Sequence, residues 1–240
     1  ASDVYKRQVY ENWTDVSGFL SADPRIVPGA QPIPRITYEE LRELSYMGAS
    51  VLHEEAVFPV RDAGIPLVIK NTNAPEDPGT IISETAKEGD TEPIITGIAG
   101  KRDFLAINVS RDRTKSRIGF MRRALSVFER YGVSVEHMPT GVDQFAAVVQ
   151  AADVKDSLYS LISDIQEEVE PLEIEVVEDL ALIATVGRNL SGRAGISGHL
   201  FGKLGEAGVS VRMITQGCDE INIIIGVEAV SYTHLTLPTT

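Results

Sequence analysis

Gly132-Val133-Ser134-Val135 recurs 76 residues later as Gly208-Val209-Ser210-Val211, and the same shift lays Phe104 to Ser110 on Leu180 to Val186, Gly119 on Gly195, Gly141 on Gly217 and Asp143 on Asp219. One unit is used twice. The offset exceeds the roughly 20 to 50 residues of solenoid repeats, so it points to two copies of a small domain. In the first copy the apolar pattern predicts strand 104–110, helix 119–131, strand 133–138, a turn at 140–143, strand 144–150, helix 154–168 and strand 172–177. This is the βαββαβ order of a ferredoxin-like fold. The first helix carries Met121, Ala124, Leu125 and Phe128 on one stripe, and its counterpart carries Ser197, Leu200, Phe201 and Leu204 at the same offsets, so each stripe is expected to pack on its own sheet. The second copy reads as strand 180–186, helix 195–207, strand 209–215 and strand 221–227, with no legible last helix.

Upstream, residues 9–83 have another character. Thr37-Tyr38-Glu39-Glu40 is a capping box ahead of Leu41, Leu44 and Met47, and Gly48 stands where that helix stops. A second helix is predicted over 54–63 with Pro59 inside it, followed by Gly64, a buried strand at 67–70 and a turn at Asp77-Pro78-Gly79 into 80–83. Strands alternating with helices read as the end of an α/β domain. Residues 84–93 are polar and aperiodic, as a linker is. Residues 1–8 and 231–240 show no period and look like translated vector or adaptor sequence, so they are expected to be foreign tails on a natural protein that was longer at both ends.

With 240 residues and 43% hydrophobic content the chain has room for one large or two to three small domains. A net charge of -13, with no basic run, argues against a nucleic-acid partner. The single cysteine, Cys218, excludes an internal disulfide framework and fits a reducing compartment. No apolar stretch approaches the about 20 residues that span a bilayer, and no signal-peptide core is present, so a cytoplasmic protein without a membrane partner is expected. His53, His137 and His199 lack metal-ligand spacing, and His234 falls in the tail.

Two places could carry chemistry. The loops Ser116-Arg117-Ile118-Gly119-Phe120 and Ser191-Gly192-Arg193-Ala194-Gly195-Ile196 bring glycine and the N–H groups of a helix start together, which suits a carboxylate or phosphate; Glu136 and Asp143 could take an ammonium group. Together they describe a pocket for a free α-amino acid. The plainer alternative makes the glycines caps and Glu136 a solvated strand residue. In the first block, Thr14 and Asp15 could bind a nucleotide's base or ribose and Arg25 its phosphates, or Asp23-Pro24 is only a turn and Arg25 a surface charge. Neither a P-loop nor a dinucleotide fingerprint occurs.

The series Trp13-Thr14-Asp15-Val16-Ser17-Gly18, Ala22-Asp23-Pro24-Arg25-Ile26-Val27-Pro28, Tyr46-Met47-Gly48-Ala49-Ser50-Val51-Leu52-His53, Ile69-Lys70-Asn71-Thr72 and Pro78-Gly79-Thr80 closely resembles the end of the catalytic domain of aspartate kinases. The repeat resembles their paired ACT domains, including Met213-Ile214-Thr215-Gln216-Gly217-Cys218 and Glu220-Ile221-Asn222-Ile223, and the likeness runs over roughly residues 9–230. The resemblance implies an α/β fold in which the end of an amino acid kinase domain (9–83) precedes two ferredoxin-like domains. ACT domain 1 (101–177) is then inserted into ACT domain 2 (94–100 and 178–230), so the strand at 94–98 completes the second sheet.

It also implies transfer of the γ-phosphate of ATP, with Mg2+, to the β-carboxylate of L-aspartate, opening synthesis of lysine, threonine and methionine. Thr14 and Asp15 would contact the nucleotide and Arg25 its phosphate side. Ser50 departs from the lysine of many members, a contact that Lys70 or a segment outside this chain would replace. The glycine-rich lysine motif and most aspartate-binding residues lie upstream in the family, so no catalytic residue and no kinase activity are expected of this polypeptide alone. Ser116, Gly119, Phe120, Met121, Val135, Glu136 and Thr140 match effector-contact positions, with Glu136 where Asp is common. Lysine is the implied effector, threonine a possible joint one, and a homodimer through the ACT domains is implied. Rival readings are a stand-alone amino-acid sensor and another amino acid kinase, the latter disfavoured by the double ACT tail.

Overall fold

Thr37 and Glu40 close their capping box as the sequence requires: the Glu40 N–H donates to Thr37 Oγ1 at 3.2 Å and the Thr37 N–H to Glu40 Oε2 at 2.8 Å. A computed structural model of the chain describes residues 9–49, 54–85, 94–188, 190, 192–217 and 221–232. Ser50, Cys218, most of the linker and most of both tails lie outside the described residues.

The first block contains β1 (Tyr10–Thr14), β2 (Arg35–Thr37), α1 (Tyr38–Tyr46), α2 (Glu54–Asp62), β3 (Leu67–Asn71) and β4 (Thr80–Ser83). Its sheet runs β1-β3-β4-β2, with β1 parallel to β3, β3 antiparallel to β4 and β4 parallel to β2. Pro59 sits inside α2, as expected. Leu44 and Met47 are each 1% exposed, worth about 2 to 3 kcal/mol apiece in transfer from water.

The second block contains β5 (Ile95–Ser110), α3 (Phe120–Arg130), β6 (Gln144–Gln150), α4 (Ala151–Val154), α5 (Leu158–Val169), β7 (Glu173–Gly187), α6 (Ile196–Glu206), β8 (Val211–Thr215), β9 (Asn222–Glu228) and α7 (Ala229–Tyr232). It forms a single antiparallel sheet of order β6-β5-β7-β9-β8. The two repeats therefore share one sheet, where the sequence suggested one for each. Residues 95–104 of β5 pair with the second repeat's half of β7 (180–187), and residues 106–110 with the first repeat's half (173–177).

Two bulges make this sharing possible. Between the pairs Lys101↔Leu182 and Phe104↔Leu180 the β5 strand carries one extra residue, and between Phe104↔Leu180 and Ala106↔Val177 the β7 strand carries one. Asp103 (φ 68°) and Asp179 (φ 56°) stand there in the left-handed region, which Asp tolerates better than most side chains. An extra residue resets the alternation of faces. Leu105, Ile107 and Val109 on one side of a bulge thus face the helices, as do Ala181 and Ile183 beyond the other. Helices α3, α5 and α6 cover that face. The opposite face, with Ala99, Ala106, Leu180, Leu182 and Ala184, shares a core with Leu41 and Leu44 of α1 and with Met47 at its C-cap.

Three further elements differ from the sequence reading. The expected strand 133–138 is reduced to isolated bridges, His137↔Val148 and Thr140↔Phe145, because Pro139 between them has no N–H to continue the ladder. The helix expected at 154–168 breaks at Ser157, whose φ of -122° is not helical, giving α4 and α5. Ser231 and Tyr232, assigned to the tail, belong to α7: the Tyr232 hydroxyl donates to the Gly100 carbonyl at 2.8 Å and Arg102 lies 4.8 Å over its ring.

Glu40 is the buried joint between the blocks, 1% exposed. Besides the cap, it accepts from Thr96 Oγ1 and from Arg188 Nε and Nη2, the latter two at 3.1 Å each. Glu40→Ala would remove two charge-assisted bonds from the Arg188 guanidinium and one half of the α1 capping box, a combined loss of about 2 to 4 kcal/mol. The check is the shift in urea midpoint; an unchanged midpoint would show that Glu40 does not join the blocks in solution.

Candidate functional site

Parallel strands β1 and β3 end side by side, Thr14 opposite Asn71, and α/β ligand sites form beyond such carboxyl ends. Polar groups gather there. Thr72 donates its N–H and its hydroxyl to the Thr14 carbonyl at 2.8 and 2.9 Å, and Thr14 Oγ1 donates to Asp15 Oδ1 at 3.1 Å. Behind them Asn71 Nδ2 donates to Ser17 Oγ at 2.9 Å, and the Ser17 hydroxyl in turn donates to Asp77. Lys70 donates to the Asp77 carbonyl, and its ammonium lies 5.9 Å from the Trp13 ring centroid. Among the described residues no set of three His, Cys, Asp or Glu side chains converges to hold a metal.

Ser17, Asn71 and Asp77 have no role in the sequence reading. Their signal was present in the motifs that contain Ser17, Asn71 and Pro78-Gly79, but only the fold shows that residues 54 and 60 positions apart share a hydrogen-bond chain. Gly79 makes the turn possible. At φ 75° it approaches β3 so closely that a Cβ would sit 1.9 Å from the Ile69 carbonyl oxygen.

Arg25 is occupied rather than open. Its Nε donates to both Asp23 oxygens at 3.0 and 3.1 Å and its Nη2 to Oδ2 at 2.7 Å, and this guanidinium holds the Asp23 carboxyl below the usual range. Asp23 and Arg25 border a cavity of about 660 Å3 between the blocks, whose apolar walls include Phe19, Leu44, Ile98 and Tyr232.

The effector-position residues fall into two groups. Gly119 (φ 75°) is the N-cap of α3 and offers no side chain to cap it; its repeat partner Gly195 (φ 90°) does the same for α6. Ser116 Oγ accepts from the Ile118 N–H at 3.2 Å. Phe120 is 5% exposed and meets Phe145 edge to face at 5.7 Å, and Met121 packs on the same core, so these two shape the wall from beneath. Thr140 bridges Phe145 at this end of the sheet.

Glu136 stands elsewhere. Its N–H donates to the Val148 carbonyl at 2.8 Å, four residues along β6 from Gln144, which pairs with Ser110; that spacing is roughly 14 Å of strand. Val135 packs beside it on the first repeat's core. The Glu136 carboxylate accepts the Tyr46 hydroxyl of α1, and burial, then the charge of Asp153, raises its pKa. Asp143, the other carboxylate offered by the sequence, is engaged by Arg111 and by Arg113 Nε at 3.1 Å. An ammonium-binding role therefore rests on Glu136.

Fold and strand-end cluster define the chain's class: the end of an α/β small-molecule kinase domain carried on a duplicated ferredoxin-like module. Residues 6–71 match the amino acid kinase family and residues 183–234 match an ACT domain. The chain is 38% identical over 221 residues to aspartokinase 3 of Bacillus subtilis, covering 92% of this chain and 48% of that protein. The crystal structure of Clostridium acetobutylicum aspartate kinase superposes with a TM-score of 0.89 at 50% identity, covering 94% of this chain and 52% of the other. Escherichia coli aspartokinase III in complex with lysine and aspartate superposes at 0.77 with 26% identity, over 97% and 51% of the two chains. The chain is thus a relative of the aspartokinases, joining the end of an amino acid kinase domain to paired ACT domains, and it spans about half the length of the first of these relatives.

Gly79→Ala would force the β3–β4 turn apart and scatter Asp77 and Lys70. A loss of about 2 to 4 kcal/mol is expected, read as a lowered thermal midpoint, with Gly29→Ala, whose Cβ would meet nothing within 4 Å, as the silent control.

Proposed function

We propose that this chain supplies the nucleotide side and the regulatory half of an aspartate kinase, an enzyme that phosphorylates the β-carboxylate of L-aspartate at the expense of ATP. Thr14 and Asp15, at the joined ends of β1 and β3, hold the nucleotide, with Asn71, Thr72 and Lys70 beside them. Asp15 and Asp77 are the carboxylates available to magnesium, which needs only one or two because nucleotide phosphates and water complete its shell. The bound nucleotide and metal supply the phosphoryl group and charge neutralisation, so this chain's part is positioning. Arg25 reaches phosphate only by leaving Asp23.

The ACT pair is proposed to sense lysine, with threonine as a possible joint effector, through Ser116, Gly119, Val135, Glu136 and Thr140 above the Phe120 and Met121 wall. The single observation that carries this reading is the half-buried Glu136 carboxylate on a ferredoxin-like module that packs directly on the kinase helix α1. The complex of the Escherichia coli relative with lysine supports it. A homodimer in which a second copy closes the pocket is part of this reading. No helix among the described residues is long and apolar enough to cross a membrane, in keeping with a cytoplasmic enzyme. The kinase match at residues 6–71 speaks against a stand-alone sensor.

Calorimetric titration of the chain with lysine, threonine and methionine tests the sensor half: heat with lysine is expected, and silence with all three ends that reading. For the nucleotide half, Asp15→Ala is expected to weaken Mg·ADP binding about 10-fold, one lost charge-assisted contact; equal affinity would remove Asp15 from the site.

A further inference from the structure

Helix α1 carries Glu40, Glu43 and Tyr46 at intervals of three residues, which places them along one face. Each ends on the second block at a different point. Glu40 takes Thr96 of β5 and Arg188 just past β7, Glu43 accepts from Asn222 Nδ2 of β9, and the Tyr46 hydroxyl donates to Glu136 beside β6. The first two contacts hold the start of the helix on the second repeat. The third is the only one of these that touches the first repeat.

That third contact differs in strength as well as place. Tyr46 is the last residue of α1 and is 56% exposed, whereas Glu40 is 1% exposed and Asn222 6%. It joins a neutral hydroxyl to a carboxylate, a weaker bond than the one an ammonium group makes with the same oxygens. Glu136 cannot retreat, since its backbone is fixed to Val148. Its carboxylate is partly buried and also feels the charge of Asp153.

We propose that Tyr46 and the ammonium group of an amino-acid effector compete for the Glu136 carboxylate, so that Tyr46 is a positioning residue whose release tells α1 that the sensor is filled. This rests on the reading of Glu136 as an effector contact. With Glu40 and Glu43 still anchored, loss of the Tyr46 contact frees only the C-terminal end of α1. Met47, Gly48 and Ala49 follow directly, and Gly48 and Ala49 border the cavity that Asp23 and Arg25 share. Effector occupancy would reach that cavity through one turn of helix. Linkage is reciprocal: if the effector weakens the Tyr46 contact, removing the hydroxyl must tighten the effector by the same factor.

The test is calorimetric titration of L-lysine into the whole chain as wild type, Tyr46→Phe, Glu136→Gln and, as an exposed control, Tyr159→Phe. Lysine is expected to bind Tyr46→Phe about 3- to 10-fold tighter than wild type, to lose affinity for Glu136→Gln and to bind Tyr159→Phe unchanged. Equal affinity for wild type and Tyr46→Phe, with binding still dependent on Glu136, overturns the competition and leaves the effector reading standing. Binding to neither wild type nor Tyr46→Phe overturns both. A double-mutant cycle on the urea midpoint without lysine adds a ligand-free measure. Non-additivity of Tyr46→Phe and Glu136→Gln is expected, and strict additivity overturns the contact itself.

Discussion

One carboxylate decides how the two halves of this molecule sit together. Glu40 is almost fully removed from water, and a charge so placed persists only when its lone pairs and its sign are both answered. Here they are: the Thr37 N–H, the Thr96 hydroxyl and two guanidinium donors of Arg188 converge on its oxygens. Because the same oxygen closes the capping box and accepts from Arg188, the first turn of α1 and the joint between the blocks are a single structure. Helix α1 cannot fray at its start without breaking the ion pair. The positions of Leu44, Met47 and Tyr46 on the sheet follow from where Glu40 is fixed.

The sequence made much of this legible, for identifiable reasons. The capping box, the stop at Gly48 and the strand at 144–150 rest on local chemistry, and local chemistry is what periodicity and turn residues report. The repeat was visible because the same backbone conformations are demanded twice: Gly119 and Gly195, Gly132 and Gly208, and Asp103 and Asp179 all have positive φ, each pair 76 residues apart. The aspartates were not noticed, since Asp at a bulge reads like any polar residue. Nor was the fusion of the two sheets, because an extra residue in a strand leaves no mark on composition while it reverses every side chain beyond it. At the strand ends Thr14 and Asp15 could be picked from a motif, but the chain Asn71, Ser17, Asp77 could not, as it joins segments remote in sequence. The partners of Arg25 and Asp143, Asp23 for the one and Arg111 with Arg113 for the other, were equally hidden: a sequence shows a charge and conceals its neighbour.

Shared strands have a consequence for how the protein comes apart. Copies with separate sheets can open one at a time, but β5 and β7 each run through both repeats, bulged only where the repeats meet. Separating them in either half exposes amides that belong to the same ladder as the other half. The pair should therefore behave as one cooperative unit in amide exchange, with the slowest protons in the regularly paired stretches of β5 and β7 on either side of the bulges and a common opening free energy. Duplication here joined two copies of one unit into a single five-stranded sheet.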